Sequence, residues 1–425
     1  MIDFVGWLAA AILGVLLLLV LFEPNLPYRT AQPRSTVASR EFLNFLSAII
    51  NARRFSIGGV QVLRSGGEIY EAQLRDIRAA KRSIHLEVYL FLRGTAGDEM
   101  LQALAERARA GVAVRVVVDR IGSLATPGRY FAPLRAAGGR VLWYQPIAWY
   151  TLKRFNNRTH RDILVIDGRA GYVGGAGVAD VWIDRKAPGC PWRDTAIRIS
   201  GEMVQGLQTA FAENWLEASG EILAEEEFAL EAAASGRPPP GAGTGLIVSS
   251  TPSAGRSTQA RILFQLLLAS ARKSIRITSP YFLPDRSLMD ELARAARRGV
   301  EVTVLTPGAF NNHPIARLAS RRRYGELLRG GVRIHEYQPA MIHAKVLIVD
   351  GEWSVLGSAN FDSRSFELND EVNVAILDRD LAARLQADFA DDLARSRAID
   401  LQEWRRRPLA ERAAAAAGRL LERQE

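Results

Sequence analysis

Two distant segments of this 425-residue chain have nearly the same sequence, THRDILVIDGRAGYVGGAGVAD from residue 159 and IHAKVLIVDGEWSVLGSANFD from residue 342. His160 and Asp167 of the first copy recur as His343 and Asp350, in each case 183 positions later. Each copy has the pattern of a buried strand that ends at an Asp-Gly turn and is followed by an adjacent strand. The duplication therefore predicts two similar lobes, each of which contributes one histidine to a shared site.

The segments around the two motifs also repeat in order. SIHLEVYLF at 83–91 corresponds to SIRITSPYFL at 274–283, and helical patterns alternate with β-branched runs throughout. This alternation is typical of α/β lobes, each with a mostly parallel or mixed sheet flanked by helices. Proline and glycine are frequent at 232–245, where periodicity is lost, so a linker is predicted there. We therefore expect a connector at 30–40, a first lobe at 41–231, a second lobe at 246–400 and a basic C-terminal helix within 401–425.

The N-terminus carries a long apolar run. Residues 4–22 are all apolar or glycine, and a helix of that length would nearly cross the roughly 30 Å hydrocarbon layer of a bilayer. The run has no basic segment before it and no small-x-small cleavage site after it, which favours a retained anchor over a signal peptide. Residues 1–29 are therefore predicted to be a single-pass transmembrane anchor. Because arginines follow the apolar run, the rest of the chain is expected on the cytoplasmic side of the membrane.

Composition narrows the possible partners and cofactors. The formal net charge of +9 favours polyanionic partners such as anionic lipid, nucleic acid or phosphorylated substrates. The single cysteine excludes an intramolecular disulfide, and the five histidines lack cysteine partners at zinc-ligand spacing. We expect neither a metal ion nor another cofactor.

The second motif copy has the residue types that phosphate chemistry needs. His343, Lys345 and Asp350 form the pattern HxKxxxxD, and Asn360 follows on the next predicted strand. An imidazole, an ammonium and an amide that converge can bind phosphate oxygens and stabilise charge in a transition state. With a histidine from each copy, one imidazole can attack phosphorus while the other protonates the leaving alcohol. Such a reaction needs no metal.

On these motifs the chain resembles the phospholipase D superfamily, and most closely the bacterial cardiolipin synthases. EVYLF, SPYFLP, HAKVLIVD, GSANFDSRSFELNDE and WRDT carry the resemblance, which extends from about residue 40 to 408. It implies a phosphatidyltransferase of the inner membrane that converts phosphatidylglycerol to cardiolipin and glycerol through a phosphohistidine. Its expected partners are these anionic phospholipids. Nucleic acid is disfavoured by the anchor, and no obligate protein partner is evident.

The resemblance also implies roles for individual residues. Each histidine is expected to be oriented by an acidic residue downstream of it, and Asp194 and Glu371 occupy those places. The remaining expected roles are phosphate binding by Asn360, Ser358 and Arg158, and structural support of the motifs by Asp167, Asp350, Gly174, Gly175 and Gly357.

The first motif copy departs from the pattern at two positions. Asp162 stands where the second copy has Lys345, and Gly177 stands where it has Asn360. A carboxylate on the same face as His160 is expected to repel an anionic substrate unless it is protonated or paired. Arg158, two residues before His160, is the expected compensating cation.

The sequence leaves several readings open. In the first, His160 is the nucleophile and His343 the proton donor, with the roles exchanged if Asp162 disables the first half-site. Other readings transfer the phosphatidyl group to water or another alcohol, use nucleic acid as substrate, or treat the chain as a non-catalytic lipid-binding homologue.

Overall fold

The computed structural model describes residues 28–146, 157–224, 243–251 and 258–407, together with residues 6–8, 11 and 14. Within these ranges no helix has the length and apolar character needed to cross a membrane. The predicted anchor helix at 4–22 lies mostly outside the described residues. The same holds for most of the predicted linker and for the C-terminal residues 408–425.

Helices and strands alternate along the described chain. The helices are α1 (Arg40–Ile49), α2 (Gly66–Ala79), α3 (Thr95–Arg109), α4 (Ala132–Ala136), α5 (Met203–Ser219), α6 (Gln259–Ser270), α7 (Arg286–Arg297), α8 (Pro314–Arg329), α9 (Ser363–Glu367), α10 (Arg379–Ala394) and α11 (Leu401–Arg405). The strands are β1 (Arg54–Ser56), β2 (Gly59–Ser65), β3 (Ser83–Val88), β4 (Ala113–Asp119), β5 (Arg140–Tyr144), β6 (Arg158–Thr159), β7 (Ile163–Ile166), β8 (Ala170–Gly174), β9 (Arg193–Ser200), β10 (Thr244–Ser250), β11 (Ser274–Thr278), β12 (Phe282–Leu283), β13 (Glu301–Pro307), β14 (Arg333–Tyr337), β15 (Val346–Val349), β16 (Trp353–Gly357), β17 (Phe361–Asp362), β18 (Asn369–Leu377) and β19 (Ser396–Ala398).

Each lobe is built on one large mixed sheet. The first has the strand order β2-β9-β8-β7-β3-β4-β5, and the second follows β1-β10-β18-β16-β15-β11-β13-β14-β19. In each sheet three strands are parallel, β3-β4-β5 or β11-β13-β14, while the strands of the duplicated motif pair antiparallel. The predicted α/β class with mixed sheets is confirmed. Of the two predicted alternatives, a mostly parallel or a mixed sheet, the structure has the mixed sheet, because each Asp-Gly turn joins its two strands as a tight hairpin, which requires antiparallel pairing.

A hydrophobic core joins the two lobes. It combines apolar side chains from β7, β8, β9 and α5 with others from β10, β15, β16, β18 and α10. Val165, Ile197 and Leu207 represent the first group, and Ile348, Val374 and Leu385 the second. Because this cluster excludes water between the sheets, it stabilises the arrangement that brings the two motif copies together.

The first lobe begins later than the sequence predicts. Helix α1 packs Phe42 and Leu46 into the core of the second lobe, beside Leu267. Strand β1 pairs antiparallel with β10, at the edge of the second sheet. The predicted boundary at residue 41 is therefore displaced, since residues 40–56 belong to the second lobe. The physical reason is that α1 covers apolar core and β1 covers an exposed strand edge, and neither need is visible in the repeat.

Candidate active site

The two motif histidines line one cavity at the interface of the lobes. His160 lies between β6 and β7, and His343 lies just before β15. Both contribute to a cavity of about 380 Å³, so the duplicated motifs form one site rather than two. Of the other residues singled out in the sequence, Arg158, Asp162, Gly175, Gly177 and Asn360 also line this cavity.

Each histidine is paired with an acidic residue of the other lobe. His160 Nδ1 lies 3.2 Å from Glu371 Oε1, and His343 Nδ1 lies 3.1 Å from Asp194 Oδ2. The expectation that each histidine is oriented by the acid downstream in its own copy is therefore wrong. The two histidine–carboxylate pairs cross between the lobes, and neither lobe contains a complete pair.

Backbone pairing explains this crossing. Strand β6, which precedes His160, runs parallel to the start of β18, and the His160 amide donates to the Asp370 carbonyl at 2.9 Å. In the other half, the His343 amide donates to the Arg193 carbonyl at 2.7 Å. Each histidine is thus hydrogen-bonded through its main chain to the residue that precedes the opposing acid. The side chains meet because the strands that carry them are joined.

His343 is held as a neutral imidazole. Burial, together with the adjacent Lys345 cation, lowers the pKa of His343 to about 4, although Asp194 opposes this shift. The Asp194 carboxylate is fixed by donors from Trp182 Nε1 at 3.0 Å and from the Thr195 amide at 2.8 Å. Since a carboxylate only accepts hydrogen bonds, Nδ1 of His343 carries the proton. The lone pair is then on Nε2, as a nucleophile requires.

His160 has the opposite electrostatic environment. Burial by itself lowers the pKa of His160, but the charge of Glu371 and the hydrogen bond to it produce a net increase. Ser358 Oγ donates to Glu371 Oε2 at 2.5 Å, and Asn369 Nδ2 donates to Oε1 at 3.4 Å. The fixed carboxylate favours the imidazolium form of His160, which suits a proton donor.

Ser358 does not have its expected role in phosphate binding. Its side chain is fully buried, donates to Glu371, and accepts from the Val372 amide at 3.0 Å. It is not among the residues that line the cavity. Ser358 instead holds the carboxylate that orients His160.

Lys345 lies against the imidazole ring of His343. Its Nζ atom is 3.0 Å from His343 Nδ1 and 3.1 Å from Nε2, and it donates to the His343 carbonyl at 2.9 Å. A Cβ atom at Gly175 would lie 2.8 Å from this ammonium, so glycine provides the space that Lys345 occupies. The cation is therefore placed where it can contact the oxygens of a phosphate attacked by Nε2.

Asp162 lines the cavity near the lysine of the other motif. Burial raises the pKa of Asp162 to about 7, although His160, Lys345 and a hydrogen bond from the Tyr89 amide favour its charged form. The expected repulsion of an anionic substrate is therefore reduced near neutral pH, because the carboxylic acid is then partly protonated. The glycine at position 177 is explained by packing, since a Cβ atom there would lie 2.9 Å from the Leu90 carbonyl oxygen.

Two side chains on the cavity wall keep hydrogen-bonding capacity for a ligand. Within the described part of the chain, Arg158 Nη1 and Asn360 Oδ1 are buried and have no hydrogen-bond partner. The carboxylate nearest Arg158 is Asp119, with Oδ1 at 3.6 Å from Nη1. Both residues were expected at the phosphate on sequence grounds, and the structure places both beside the histidines.

The motif aspartates and glycines shape the scaffold under the site. Asp167 and Asp350 have φ values of 54° and 56°, each precedes a glycine with positive φ, and the pairs form the two hairpin turns. The Asp350 carboxylate accepts from the amides of residues 272–274, and Asp167 from those of residues 81–83. Gly174 and Gly357 allow close approach of the acid-bearing strands: a Cβ atom at Gly357 would lie 2.2 Å from the Val372 carbonyl oxygen.

Aromatic side chains that were not predicted as site residues form part of the cavity wall. Trp182, Trp192 and Tyr281 surround His343, with ring centroids 5.7, 5.2 and 6.3 Å from its own. Tyr89 lies 5.1 Å from His160 by the same measure. The signal for the tyrosines was available, because both occur in the repeated segments at 83–91 and 274–283. His313, which the sequence analysis did not single out, also lines the cavity.

A duplicated motif, two mixed sheets and a cavity with two histidines define a two-lobed phospholipase D-like protein. The family described as "Cardiolipin synthase, PLD-like domain" matches residues 74–185 and 265–393. The chain belongs to this family of enzymes, as its relatives also show.

The curated relatives cover most of this chain. A cardiolipin synthase of Geobacillus kaustophilus is 34% identical over 85% of the chain and 71% of its own length. The major cardiolipin synthase ClsA of Bacillus subtilis is 34% identical over 91% of the chain and 80% of its own length. Among solved structures, phosphatidylserine synthase of Haemophilus influenzae matches with a TM-score of 0.69 over 90% of this chain and 99% of its own. At 15% identity, that likeness supports the fold alone.

Proposed function

We propose that this protein is a membrane-associated phosphatidyltransferase that converts two molecules of phosphatidylglycerol into cardiolipin and glycerol. The observation that carries the proposal is the pair of histidines in one cavity, one held neutral and the other favouring its cation. Family membership and the names of the curated relatives support the choice of substrate. The apolar run at 4–22 supports membrane association.

In the first step, Nε2 of His343 attacks the phosphorus of a phosphatidylglycerol molecule. The bond from phosphorus to the glycerol headgroup oxygen breaks, and the imidazolium of His160 gives its proton to that oxygen. Glycerol leaves, and the phosphatidyl group is held on His343. This exchanges the roles first expected from the sequence, because the pKa of His343 is lowered to about 4 while that of His160 is raised.

In the second step, the headgroup hydroxyl of another phosphatidylglycerol molecule attacks the phosphohistidine. His160, now neutral, accepts the hydroxyl proton as the new phosphorus–oxygen bond forms and the bond to His343 breaks. Cardiolipin is released and both histidines return to their starting states. Lys345 contacts the phosphoryl oxygens in both steps, with Arg158 Nη1 as a further donor. Asn360 would donate through its Nδ2 group, since its Oδ1 atom can only accept.

Asp194 and Glu371 act through the histidines. Asp194 fixes the tautomer of His343 and stabilises positive charge on its ring when phosphorus is bound. Glu371 keeps His160 protonated until the leaving oxygen needs a proton. Because each pair crosses the interface, we propose that the reaction requires both lobes in their assembled arrangement.

The test uses the purified full chain in mixed micelles containing phosphatidylglycerol, with chelator present. We expect cardiolipin and glycerol in equal amounts, and a radiolabelled phosphatidyl–enzyme adduct after a denaturing quench at alkaline pH, because the phosphorus–nitrogen bond of a phosphohistidine is labile in acid. His343→Asn should abolish both product and adduct, and His160→Asn should abolish turnover. His335→Asn, on β14 and outside the cavity lining, is the matched control and should leave turnover unchanged.

Other products would contradict the proposal in distinguishable ways. Phosphatidic acid without cardiolipin would indicate hydrolysis, and cleavage of DNA would indicate a nuclease. An adduct that persists in His343→Asn and is absent from His160→Asn would reverse the assignment of the nucleophile.

A further inference from the structure

The wall of the catalytic cavity beside His160 carries hydrogen-bond acceptors that the phosphate chemistry does not use. Asp362 ends β17, lines the cavity and is 2% exposed. Its Oδ1 atom accepts from the Ser365 amide at 2.7 Å, whereas Oδ2 has no hydrogen bond to any described residue. A carboxyl oxygen that is unpaired on a cavity wall is available to a donor group of a ligand.

Asn369, at the start of β18, adds a second acceptor to this wall. It is 5% exposed and lines the cavity. Its Nδ2 group donates to Glu371 Oε1 at 3.4 Å, which fixes the orientation of the amide. Its Oδ1 atom is buried and has no hydrogen-bond partner in the described ranges. Because an unpaired buried acceptor is destabilising, a ligand that donates to it gains free energy.

Both acceptors lie on the His160 side of the cavity. Asn369 contacts the carboxylate that holds His160, and its backbone pairs with that of Arg158, two residues before the histidine. The charges of Glu371 and His160 are among those that shift the pKa of Asp362. In the proposed reaction His160 protonates the leaving headgroup oxygen and later accepts the proton of the attacking hydroxyl. The acceptors therefore lie where the carbons of the headgroup are expected.

The side of the cavity around His343 has a different chemical character. Ala179 stands 183 positions before Asp362, the repeat distance of the two motifs, and it has no polar side chain. Trp182 and Trp192 lie against His343, with ring centroids 5.7 and 5.2 Å from its own. The cavity thus has acceptors beside the proposed proton donor and aromatic rings beside the proposed nucleophile.

The acceptors fit a hydroxyl group. A phosphodiester anion has no proton to donate to them, whereas each free hydroxyl of a glycerol headgroup has one. An ammonium headgroup could also donate, but Arg158 and Arg364 line the same cavity and would repel a cation. Burial also raises the pKa of Asp362 to about 7, which weakens its negative charge near neutral pH and so favours a neutral donor.

We propose that Asp362 and Asn369 form a subsite that accepts a hydrogen bond from the glycerol hydroxyl on the carbon next to the reacting oxygen. This inference rests on the proposed function and concerns the same cavity. The departing glycerol and the attacking headgroup both carry that hydroxyl, so one subsite serves both steps. Asn360, whose Oδ1 atom is also without a partner in the described chain, lies on the same wall. The subsite selects vicinal-diol headgroups over simple alcohols.

The test compares phosphatidylglycerol with phosphatidyl-1,3-propanediol, which lacks only the middle hydroxyl of the headgroup. Release of the headgroup alcohol from each lipid is measured with the purified full chain in mixed micelles, and cardiolipin formation is followed in parallel. We expect kcat/KM to be about ten- to a hundredfold higher for phosphatidylglycerol. In Asp362→Ser this ratio should fall below about threefold, because serine can still cap α9 but is too short to present a second oxygen. Asn369→Ala should lower the ratio in the same direction.

The ratio of the two lipids is the readout because a changed pKa of His160 would slow both reactions equally. The matched control is Asp378→Ser. Asp378 caps α10 by accepting from the Leu381 amide at 2.8 Å, and it is not among the residues that line the cavity. This control should keep the ratio of the unmodified chain.

The outcomes separate this inference from the proposed function. If cardiolipin forms but the two lipids react equally, or if either folded variant keeps the full ratio, the subsite is refuted and the proposed function stands. Faster release from phosphatidylethanolamine than from phosphatidylglycerol would overturn the subsite in favour of one for an ammonium group. Headgroup release without cardiolipin would refute the proposed function, while the ratio would still decide on the subsite. No release from either lipid would overturn both.

Discussion

Replacement of Asp162 by asparagine tests how the catalytic cavity tolerates a carboxylate beside an anionic substrate. The pKa of Asp162 is raised from 3.8 to about 7, chiefly by burial, which corresponds to about 4 kcal/mol against its charged form. At pH 6 about 90% of this group is therefore protonated, and at pH 8 only about 10%. Asparagine has a similar shape and can still accept the hydrogen bond from the Tyr89 amide.

If only the protonated form admits the phosphodiester productively, the ratio of variant to unmodified activity must rise with pH. We expect kcat/KM of Asp162→Asn to be nearly equal to that of the unmodified chain at pH 6. It should be about twofold higher at pH 7 and about tenfold higher at pH 8. Using the ratio removes contributions that the two proteins share, such as deprotonation of His160.

The measurement is the initial rate of cardiolipin formation from phosphatidylglycerol in mixed micelles, between pH 5.5 and 9. Asp162→Lys, which restores the residue type of the second motif, should show the same loss of inhibition at alkaline pH. A ratio that stays constant across this range would refute the reasoning, because Asp162 would then exert no charge-dependent effect on the substrate.

Three further predictions follow from contacts in and below the site. Glu371→Gln should lower the pKa of His160 and reduce kcat by about 10²- to 10⁴-fold at pH 7. The alkaline limb of the pH–rate profile should move to lower pH, and an unchanged limb would contradict the pairing of Glu371 with His160. Gly175→Ala should displace the Lys345 ammonium and lower kcat at least tenfold, while circular dichroism and the urea midpoint stay near those of the unmodified chain. Asp350→Ala removes the acceptor of three backbone amides and should cost about 3 kcal/mol of unfolding free energy in urea, whereas Glu71→Ala, at an exposed position, should cost less than about 0.5 kcal/mol.

The repeat could be used to predict the architecture because it places equivalent strands and turns in both halves. The Asp-Gly turns, the α/β class and the mixed sheets follow from local patterns and are present in the structure. The repeat could not place α1 and β1, whose packing against the second lobe depends on apolar surface and a strand edge elsewhere in the chain.

The positions of site residues were predictable to a similar extent. His160, His343, Arg158 and Asn360 line one cavity, as the motif comparison suggested. Ser358 was misassigned because a motif records residue type and spacing, while the direction of a side chain depends on which group it meets. Here the nearest acceptor is the carboxylate of Glu371.

The sequence alone determined that this chain has two related lobes and that each supplies a histidine, with a lysine in one motif and an aspartate in the other. Those facts follow from the identity of the residues and from the constant spacing between the two motif copies. Only the tertiary structure decided that the carboxylates pair across the lobes and that the pKa of His343 is lowered while that of His160 is raised. The physical reason is that partner choice and ionisation depend on distance and burial, and both arise only when strands far apart in the chain are brought together.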